Sequence, residues 1–295
     1  MVKIKILKEE ESKIQVLLSK TDRSFANALR RSLISDTPKM AIDSVRFQLG
    51  TKEQDEEIWE TTGPIPDEMV AQRLAMIPIP TVHDKFHFQD ECPNCKDVVE
   101  EERGCVECQM IYTCVVFGSE EGRLVTAGDM KYLGEGSLEI PDEYKSIPIT
   151  KLLKGQMIEF YATAIMGRGR EHTKWSPVCG VSFHPRRMGV LNNKKKSKIL
   201  WDMDLEIKAK DFDKDGKLKD IEKVAVLTDE LNHVGEGTEA SREFGDAVTL
   251  EEVPGEFILE FETDGSMEPK VAFMKAVEEL AGRFGSLEQD LAAAL

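Results

Sequence analysis

The sequence has little of several features that mark common classes of protein. No stretch approaches the ~18 consecutive apolar residues of a membrane-spanning helix, so we expect no membrane span. Basic residues are outnumbered, 39 against 55 acidic ones, and the formal net charge is −16. A protein that bound DNA mainly by itself would need a basic surface, because neutralising phosphates supplies much of that affinity. We therefore expect any contact with nucleic acid to run through partners or through a small local patch.

Cysteine and histidine are also scarce. Six cysteines in 295 residues are too few for a secreted disulfide scaffold, and four of them form CxxC pairs. Five histidines and no recognisable nucleophile elbow leave hydrolytic catalysis without a candidate constellation. The first residues, MVKIKILKEEESKIQVLL, alternate charged and apolar side chains, unlike a signal peptide. We expect a cytoplasmic protein.

What the chain does contain is enough apolar sequence, 41%, for a folded core in one large domain or two to three smaller ones. KIKIL and KIQVLLS predict two strands. A helix is predicted over 24–36, with Ser24 as N-cap, and a second over 66–76. The polar region 186–250 has weak periodicity and is predicted to be a weakly structured insertion.

The end of the chain predicts a strand, GEFILEFETDG, and then a long helix with Ser266 as its N-cap. Apolar residues along this helix step by four and three, which is the spacing of a heptad seam. Two interpretations stay open: the helix packs only within its own domain, or it also packs against a partner helix. The residues of this seam are Phe273, Val277, Leu280, Phe284, Leu287 and Leu291.

The strongest chemical pattern is CPNCKDVVEEERGCVEC, with Cys92, Cys95, Cys105 and Cys108 in two CxxC pairs. Two such turns can complete a tetrahedron of sulfur around one ion, with no position left for a water, so the ion would be structural. Structural zinc is favoured; another metal or an iron–sulfur cluster, and plain thiols, are the alternatives. The other two cysteines, Cys114 and Cys179, are predicted to be core residues.

A second metal-like pattern is DFDKDGKLKDIE, which matches a calcium loop. A true EF-hand needs a helix on each side, whereas the preceding WDMDLEIKAK alternates like a strand. Calcium binding through this loop is the alternative function to be weighed. Its possible ligands are Asp211, Asp213, Asp215 and Glu222.

The loop REHTKWSPV, residues 170–178, combines basic side chains with His172 and Trp175. Arginine and tryptophan often anchor protein interfaces, so the loop is interpreted as an interface or as a surface loop with one half-buried tryptophan.

Three segments taken together resemble a known family. SFANALRRSLISDTPKMAID (24–43), RLAMIPIP (73–80) and REHTKWSPV (170–178), in this order, resemble the signature segments of the archaeal RNA polymerase D subunits, and ETDGSMEP precedes the last helix. That family is similar to the third-largest subunit of eukaryotic RNA polymerase II and, more distantly, to the N-terminal domain of the bacterial alpha subunit. The resemblance covers about 1–185 and 252–295.

The resemblance implies an α+β fold with a discontinuous dimerisation domain of sheet and helices, into which a β-rich domain carrying the four-cysteine metal knuckle is inserted. The corresponding segments are 1–45 and 251–295 for the dimerisation domain, 46–185 for the β-rich domain, and 186–250 for the polar insertion. Many archaeal relatives carry an iron–sulfur cluster in that last region. Because 186–250 contains no cysteine, we expect no cluster there.

The implied function is that of a non-catalytic assembly subunit of DNA-directed RNA polymerase, within a nucleotidyltransferase complex. It would heterodimerise with the small subunit L through the helical seam and recruit the second-largest catalytic subunit and the small subunits N and P. The remaining residues that the resemblance places at contacts with other subunits are Asn27, Arg30 and Arg31 on the first helix and His172, Lys174 and Trp175 in the loop. A zinc-dependent enzyme is a further alternative.

Overall fold

The computed structural model describes residues 2–54, 56–134, 136 and 138–294. Its strands are mostly short, and three of them have 12 or more residues. The strands are β1 (Lys3–Glu9), β2 (Lys13–Ser19), β3 (Pro38–Phe47), β4 (Thr51–Gln54), β5 (Glu57–Glu60), β6 (Gln109–Phe117), β7 (Arg123–Thr126), β8 (Lys131–Tyr132), β9 (Pro148–Leu152), β10 (Met157–Arg168), β11 (Val178–Leu191), β12 (Lys217–Leu218) and β13 (Val248–Thr263).

Within these described residues, the helices confirm the three that the sequence predicts and add three others. The predicted helices over 24–36 and 66–76 are α1 and α2, and the long terminal helix is α6. The mixture of helices and antiparallel strands confirms the α+β class. The helices are α1 (Arg23–Ser35), α2 (Asp67–Ala75), α3 (Lys198–Trp201), α4 (Ile221–Leu231), α5 (Glu239–Phe244) and α6 (Pro269–Ala294).

Both predicted N-caps are wrong. The carboxylate of Asp22, not Ser24, accepts the backbone N–H of Phe25 at 2.8 Å and satisfies one of the unpaired amides at the start of α1. Ser266 lies outside α6, and its hydroxyl donates to Asp264 at 2.6 Å. The same polar residue types cap helices and close the turns before them. Sequence spacing alone therefore assigned the two N-caps to the wrong residues.

Two compact units divide the chain. The first unit comprises Met1–Leu7, Gln15–Asn27 and Ser182–Leu259, and the second comprises Lys8–Ile14, Ala28–Val181 and Glu260–Leu295. The four-segment domain organisation implied by the resemblance stays a prediction. Among the described residues, no helix has both the length and the apolarity to span a membrane.

The second unit is built on a four-stranded antiparallel sheet of order β3-β10-β6-β8. Buried side chains alternate with mostly half-buried ones along β6 and β10, as expected when one face of a sheet is more fully covered than the other. The covered face packs against Val70 and Leu74 of α2 and against the chain that follows it, in a core that includes Tyr112 and Phe160. This sheet supports the cysteine-rich stretch, which directly precedes β6.

The first unit contains a small core that the weak periodicity of 186–250 failed to predict. The expectation of a weakly structured insertion is wrong: α3, α4 and α5 lie in this region, and ten buried apolar residues from these helices and the segments around them pack together. Phe212, Leu227 and Phe244 are among them. These residues come from short elements with intervening turns, so no single window shows a helical or strand period. A further sheet has the order β1-β2-β13-β11-β12.

Candidate metal centre and docking surfaces

The four cysteines of the two CxxC pairs come together at one point of the second unit. The sulfurs of Cys92, Cys95, Cys105 and Cys108 all lie within 4.8 Å of one another, and none forms a disulfide. The Sγ–Sγ distances are 3.5 Å for Cys92–Cys105 and 3.7 Å for both Cys105–Cys108 and Cys95–Cys108. The structure thus assembles the ligand set that the sequence predicts.

Each CxxC pair lies on a tight turn closed by backbone hydrogen bonds. In the first turn, the amides of Cys95 and Lys96 donate to the carbonyl of Cys92 at 3.1 and 2.9 Å. In the second, Cys108 and Gln109 donate to the carbonyl of Cys105 at 3.1 and 3.0 Å. These turns need only local bonds, which is why the spacing of the cysteines predicts them reliably.

The electrostatics of the knuckle favour a bound cation. Burial opposes ionisation, but the N–H of Glu107 and the neighbouring thiols together lower the pKa of Cys105 to about 7. Burial raises the pKa of Cys92 and that of Cys108. Since three of the four cysteines are buried, several thiolates can coexist here only when a cation compensates their charge.

The sulfur positions fit a tetrahedral ion. Four Zn–S bonds of about 2.3 Å place sulfurs about 3.8 Å apart in a regular tetrahedron. Three of the six sulfur pairs here are 3.5–3.7 Å apart, and all six lie within 4.8 Å. Of the remaining cysteines, Cys114 is buried as predicted, whereas the prediction that Cys179 is a core residue is wrong because its side chain is exposed. It lies near the start of the long strand β11, where side chains alternate between faces.

A second feature of this unit is an apolar helix face without a cover. The N-terminal half of α6 is packed: Phe273 is buried and stacks on Phe261 with ring centroids 6.5 Å apart. The C-terminal half is not, since Phe284 is 60% exposed and Leu287 is 54% exposed. Val277 and Leu280 lie between these extremes. Packing within the domain therefore accounts for the N-terminal half of the seam, whereas packing of the exposed half against a partner helix stays a prediction.

Polar contacts hold α6 in place. The hydroxyl of Ser32 on α1 donates to the carbonyl of Ala276 at 2.8 Å. Arg168, at the end of β10, donates to the carbonyl of Asp36 at 2.8 Å and to the carboxylate of Glu279 at 2.6 Å. These contacts fix the orientation of the helix, so its exposed half projects as a defined surface.

Comparison with known proteins identifies the family of this chain. The family model of the RNA polymerase Rpb3/Rpb11 dimerisation domain matches residues 15–284. The chain belongs to this family.

Curated relatives support this membership over the whole chain. Subunit Rpo3 of the DNA-directed RNA polymerase of Thermoplasma volcanium is 32% identical over 292 residues, which cover 98% of this chain and 99% of the relative. Subunit rpb3 of DNA-directed RNA polymerase II of Dictyostelium discoideum is 28% identical, over 98% of this chain and 94% of the relative. The Rpo3 subunit of Pyrococcus horikoshii is 36% identical over 178 residues, or 60% of this chain and 57% of the relative. The resemblance seen in the sequence is confirmed.

In this member of the Rpb3/Rpb11 family, the loop after β10 is tied to the body of the second unit. The side chain of Lys174 forms a 2.7 Å ion pair with Asp43 and lies 4.1 Å above the ring of Trp175. Trp175 is buried, and its indole N–H donates to the carbonyl of Ile165 at 3.1 Å. Gly167 allows this, because a Cβ there would lie 2.4 Å from the indole ring. Both predicted contact residues thus have partners within the chain, and their contact with other subunits stays a prediction.

The other predicted contact residues differ in exposure. Arg31 on α1 and His172 in the loop are exposed, whereas Asn27 and Arg30 are half-buried and have interactions within the chain. The ring Nδ1 of His172 accepts the backbone N–H of Lys174 at 3.1 Å, so the histidine caps the short turn that carries Trp175. Of the two predicted contact arginines on α1, Arg31 is the more accessible.

Sequence reasoning missed a buried polar network in this family member that joins the signature segments. The ammonium of Lys39 is ion-paired with Asp264 and donates to the carbonyl of Lys174 at 2.8 Å. Nearby, the hydroxyl of Thr81 accepts the N–H of Met40 at 3.0 Å, and the N–H of Thr81 donates to the carbonyl of Ser266 at 2.9 Å. The signal available in the sequence was a lysine within an otherwise apolar strand, PKMAI.

The calcium-like loop does not bring its carboxylates together. Asp211 forms a 2.6 Å ion pair with Lys223 and accepts the amide of Lys208 at 2.9 Å. Asp213 accepts the amides of Asp215 and Lys217 at 2.9 and 2.8 Å. Among the described residues, the four cysteines are the only group of three or more candidate ligands close enough to share a metal. Glu222, in the first turn of α4, does not join such a group, and nothing here supports the calcium alternative.

Proposed function

We propose that this chain is a non-catalytic assembly subunit of a DNA-directed RNA polymerase and that it heterodimerises with the small subunit L. Membership of the Rpb3/Rpb11 dimerisation family supports this, as do the names of the full-length relatives. The observation that carries the proposal is the exposed C-terminal half of α6, where Phe284, Leu287 and Leu291 are each more than half exposed. A matching apolar helix would cover them.

The heterodimer would then recruit the second-largest catalytic subunit and the small subunits N and P. Arg31 is exposed on α1, away from the buried positions Leu29 and Leu33 of the same helix, and is available for such a contact. The net charge of −16 supports contact with DNA only through the complex. Catalysis would reside in the large subunits, and the cytoplasmic location stays a prediction.

The cysteine knuckle would hold a structural zinc ion through Cys92, Cys95, Cys105 and Cys108. All four ligands are sulfur, so no coordination position is left for a substrate or a catalytic water. The ion would supply the positive charge that lets the buried thiols ionise together. In residues 186–250, which contain no cysteine, we expect no iron–sulfur cluster.

The proposal is tested by Phe284→Asp. Phe284 is 60% exposed, so the substitution leaves this chain's own core intact while it buries a charge in the proposed interface. Co-expression with the small partner and size-exclusion chromatography should show at least a ~30-fold loss of affinity, the size expected for an interface hot spot.

Leu49→Asp is the matched control, because Leu49 is 74% exposed and does not lie on α6. It should leave the heterodimer unchanged. Arg31→Ala should also preserve the heterodimer while weakening recruitment of the large subunit. Wild-type affinity of Phe284→Asp for the small partner would show that α6 is not the dimerisation helix.

A further inference from the structure

A groove beside the cysteine knuckle is not used by any of the contacts proposed so far. It has a volume of about 530 Å³ and lies within the second unit. Its buried and half-buried lining includes Phe86, Ile111, Tyr132 and Leu138. Two strongly exposed apolar side chains also line it, Val106 at 85% and Leu133 at 55%.

The knuckle holds Val106 in this exposed position. Val106 follows Cys105 in the second CxxC turn, and the carbonyl of the next residue, Glu107, accepts the amide of His87 at 2.9 Å. Because Cys105 and Cys108 both aim their sulfurs at the ligand cluster, the valine between them cannot turn into the core. Val106 is thus held exposed to solvent on a rigid turn, and Leu133 beside the same groove is exposed as well. Neighbouring exposed apolar side chains are typical of an interaction surface.

Charge indicates what kind of partner fits. Residues 90–107 contain seven acidic residues against Lys96 and Arg103. The salt bridges of the described residues include none of those seven carboxylates, and four thiolates around a divalent ion would add two further negative charges. Among the described residues, Lys85 is the one charged residue that lines the groove itself. The knuckle beside the groove is therefore strongly acidic in sequence, and it favours a basic partner.

We propose that this groove, the knuckle groove, docks an extended segment of another polymerase subunit. An apolar side chain of that segment enters between Val106 and Leu133, and flanking lysine or arginine side chains face the acidic knuckle. The inference rests on the proposed assembly function but uses a surface separate from α6.

Site-specific photocrosslinking in the reconstituted polymerase tests the inference. A photoreactive benzoylphenylalanine replaces Val106, and mass spectrometry identifies the crosslinked peptide. Val99, which is 64% exposed on the same knuckle but does not line the groove, is the matched control position. We expect a crosslink from position 106 to an apolar residue flanked by lysine or arginine. A crosslink to an acidic or uncharged segment, or a yield no higher than from position 99, overturns the proposal.

Two substitutions provide a quantitative measure. Val106→Asp and Leu133→Asp should each weaken incorporation of the crosslinked subunit at least tenfold, whereas Val99→Asp should not. Metal content should be unchanged in all three variants, which excludes collapse of the knuckle as the cause. Equal incorporation in Val106→Asp and Val99→Asp overturns the proposal. Heterodimer formation with the small partner is measured in parallel. If the wild type forms no heterodimer, the assembly function itself is contradicted. If the heterodimer forms but position 106 gives no specific crosslink, only the proposal for the groove fails.

Discussion

The cysteine knuckle and the aspartate loop both match a metal-binding pattern, yet only the knuckle brings its ligands together. In the knuckle, four sulfurs lie within 4.8 Å of one another. In the aspartate loop, Asp211 and Asp213 are each occupied by backbone amides and by a lysine. The two regions differ in what else their ligands can bind.

A carboxylate has many alternatives to a metal ion, whereas a thiol has few. Six lysines lie between positions 208 and 223, interleaved with the acidic residues, and the amides of a tight turn are close at hand. Thiols form only weak hydrogen bonds, so a buried cluster of four has little to gain except from an ion. Pattern matches are therefore more specific for cysteine than for aspartate.

The largest expected effect that would test this difference in metal binding is the loss of a cysteine from the knuckle. Cys108→Ser removes one of four ligands at a fully buried position and should abolish stoichiometric metal binding, with local unfolding of the knuckle and a lower Tm. Metal analysis and thermal unfolding of the full chain measure this. Cys114→Ser, at a buried cysteine outside the ligand set, is the control and should retain the metal. Retention of the ion by Cys108→Ser would show that the knuckle is not the metal site.

An intermediate effect is expected in the aspartate loop. Asp213→Ala removes the acceptor of two backbone amides and should lower the free energy of unfolding more than Asp215→Ala does. Asp215→Ala, at an exposed neighbour, should stay within about 0.5 kcal/mol of the wild type. Urea unfolding with and without calcium measures both. Stabilisation of the wild type by millimolar calcium, lost in both variants, would restore the calcium alternative.

The smallest effect concerns protonation of the same loop. The backbone N–H of Lys217 is the main cause that lowers the pKa of Asp213, and Lys219 contributes less. A lowered folded-state pKa means that the stabilisation is present above the unfolded pKa of about 3.9 and is lost as pH falls through the folded value. An NMR titration of the carboxyl carbon should show the lowered midpoint, which should persist in Lys219→Ala. Its complete disappearance in that variant would mean that the ion pair dominates.

The terminal helix shows how far periodicity could predict the docking surface. The seam from Phe273 to Leu291 identified the apolar face correctly, because side chains three and four residues apart lie on one side of a helix. It could not say where coverage ends. That boundary depends on contacts from distant segments. Ser32, Arg168 and Asp36 reach α6 at Ala276, Glu279 and Arg283, and Phe284, which follows them, is exposed.

Local chemistry was thus determined by the sequence alone: the turns that aim the cysteines, the periodicity of the main helices, and the signature segments that indicated the family. These features depend on neighbouring residues, whose geometry the chain itself constrains. Only the tertiary structure decided that Lys39 and Asp264 pair in the interior, that Trp175 is buried, and that 186–250 encloses its own core. Such contacts join residues far apart in the chain, and no local spacing encodes which of them will meet.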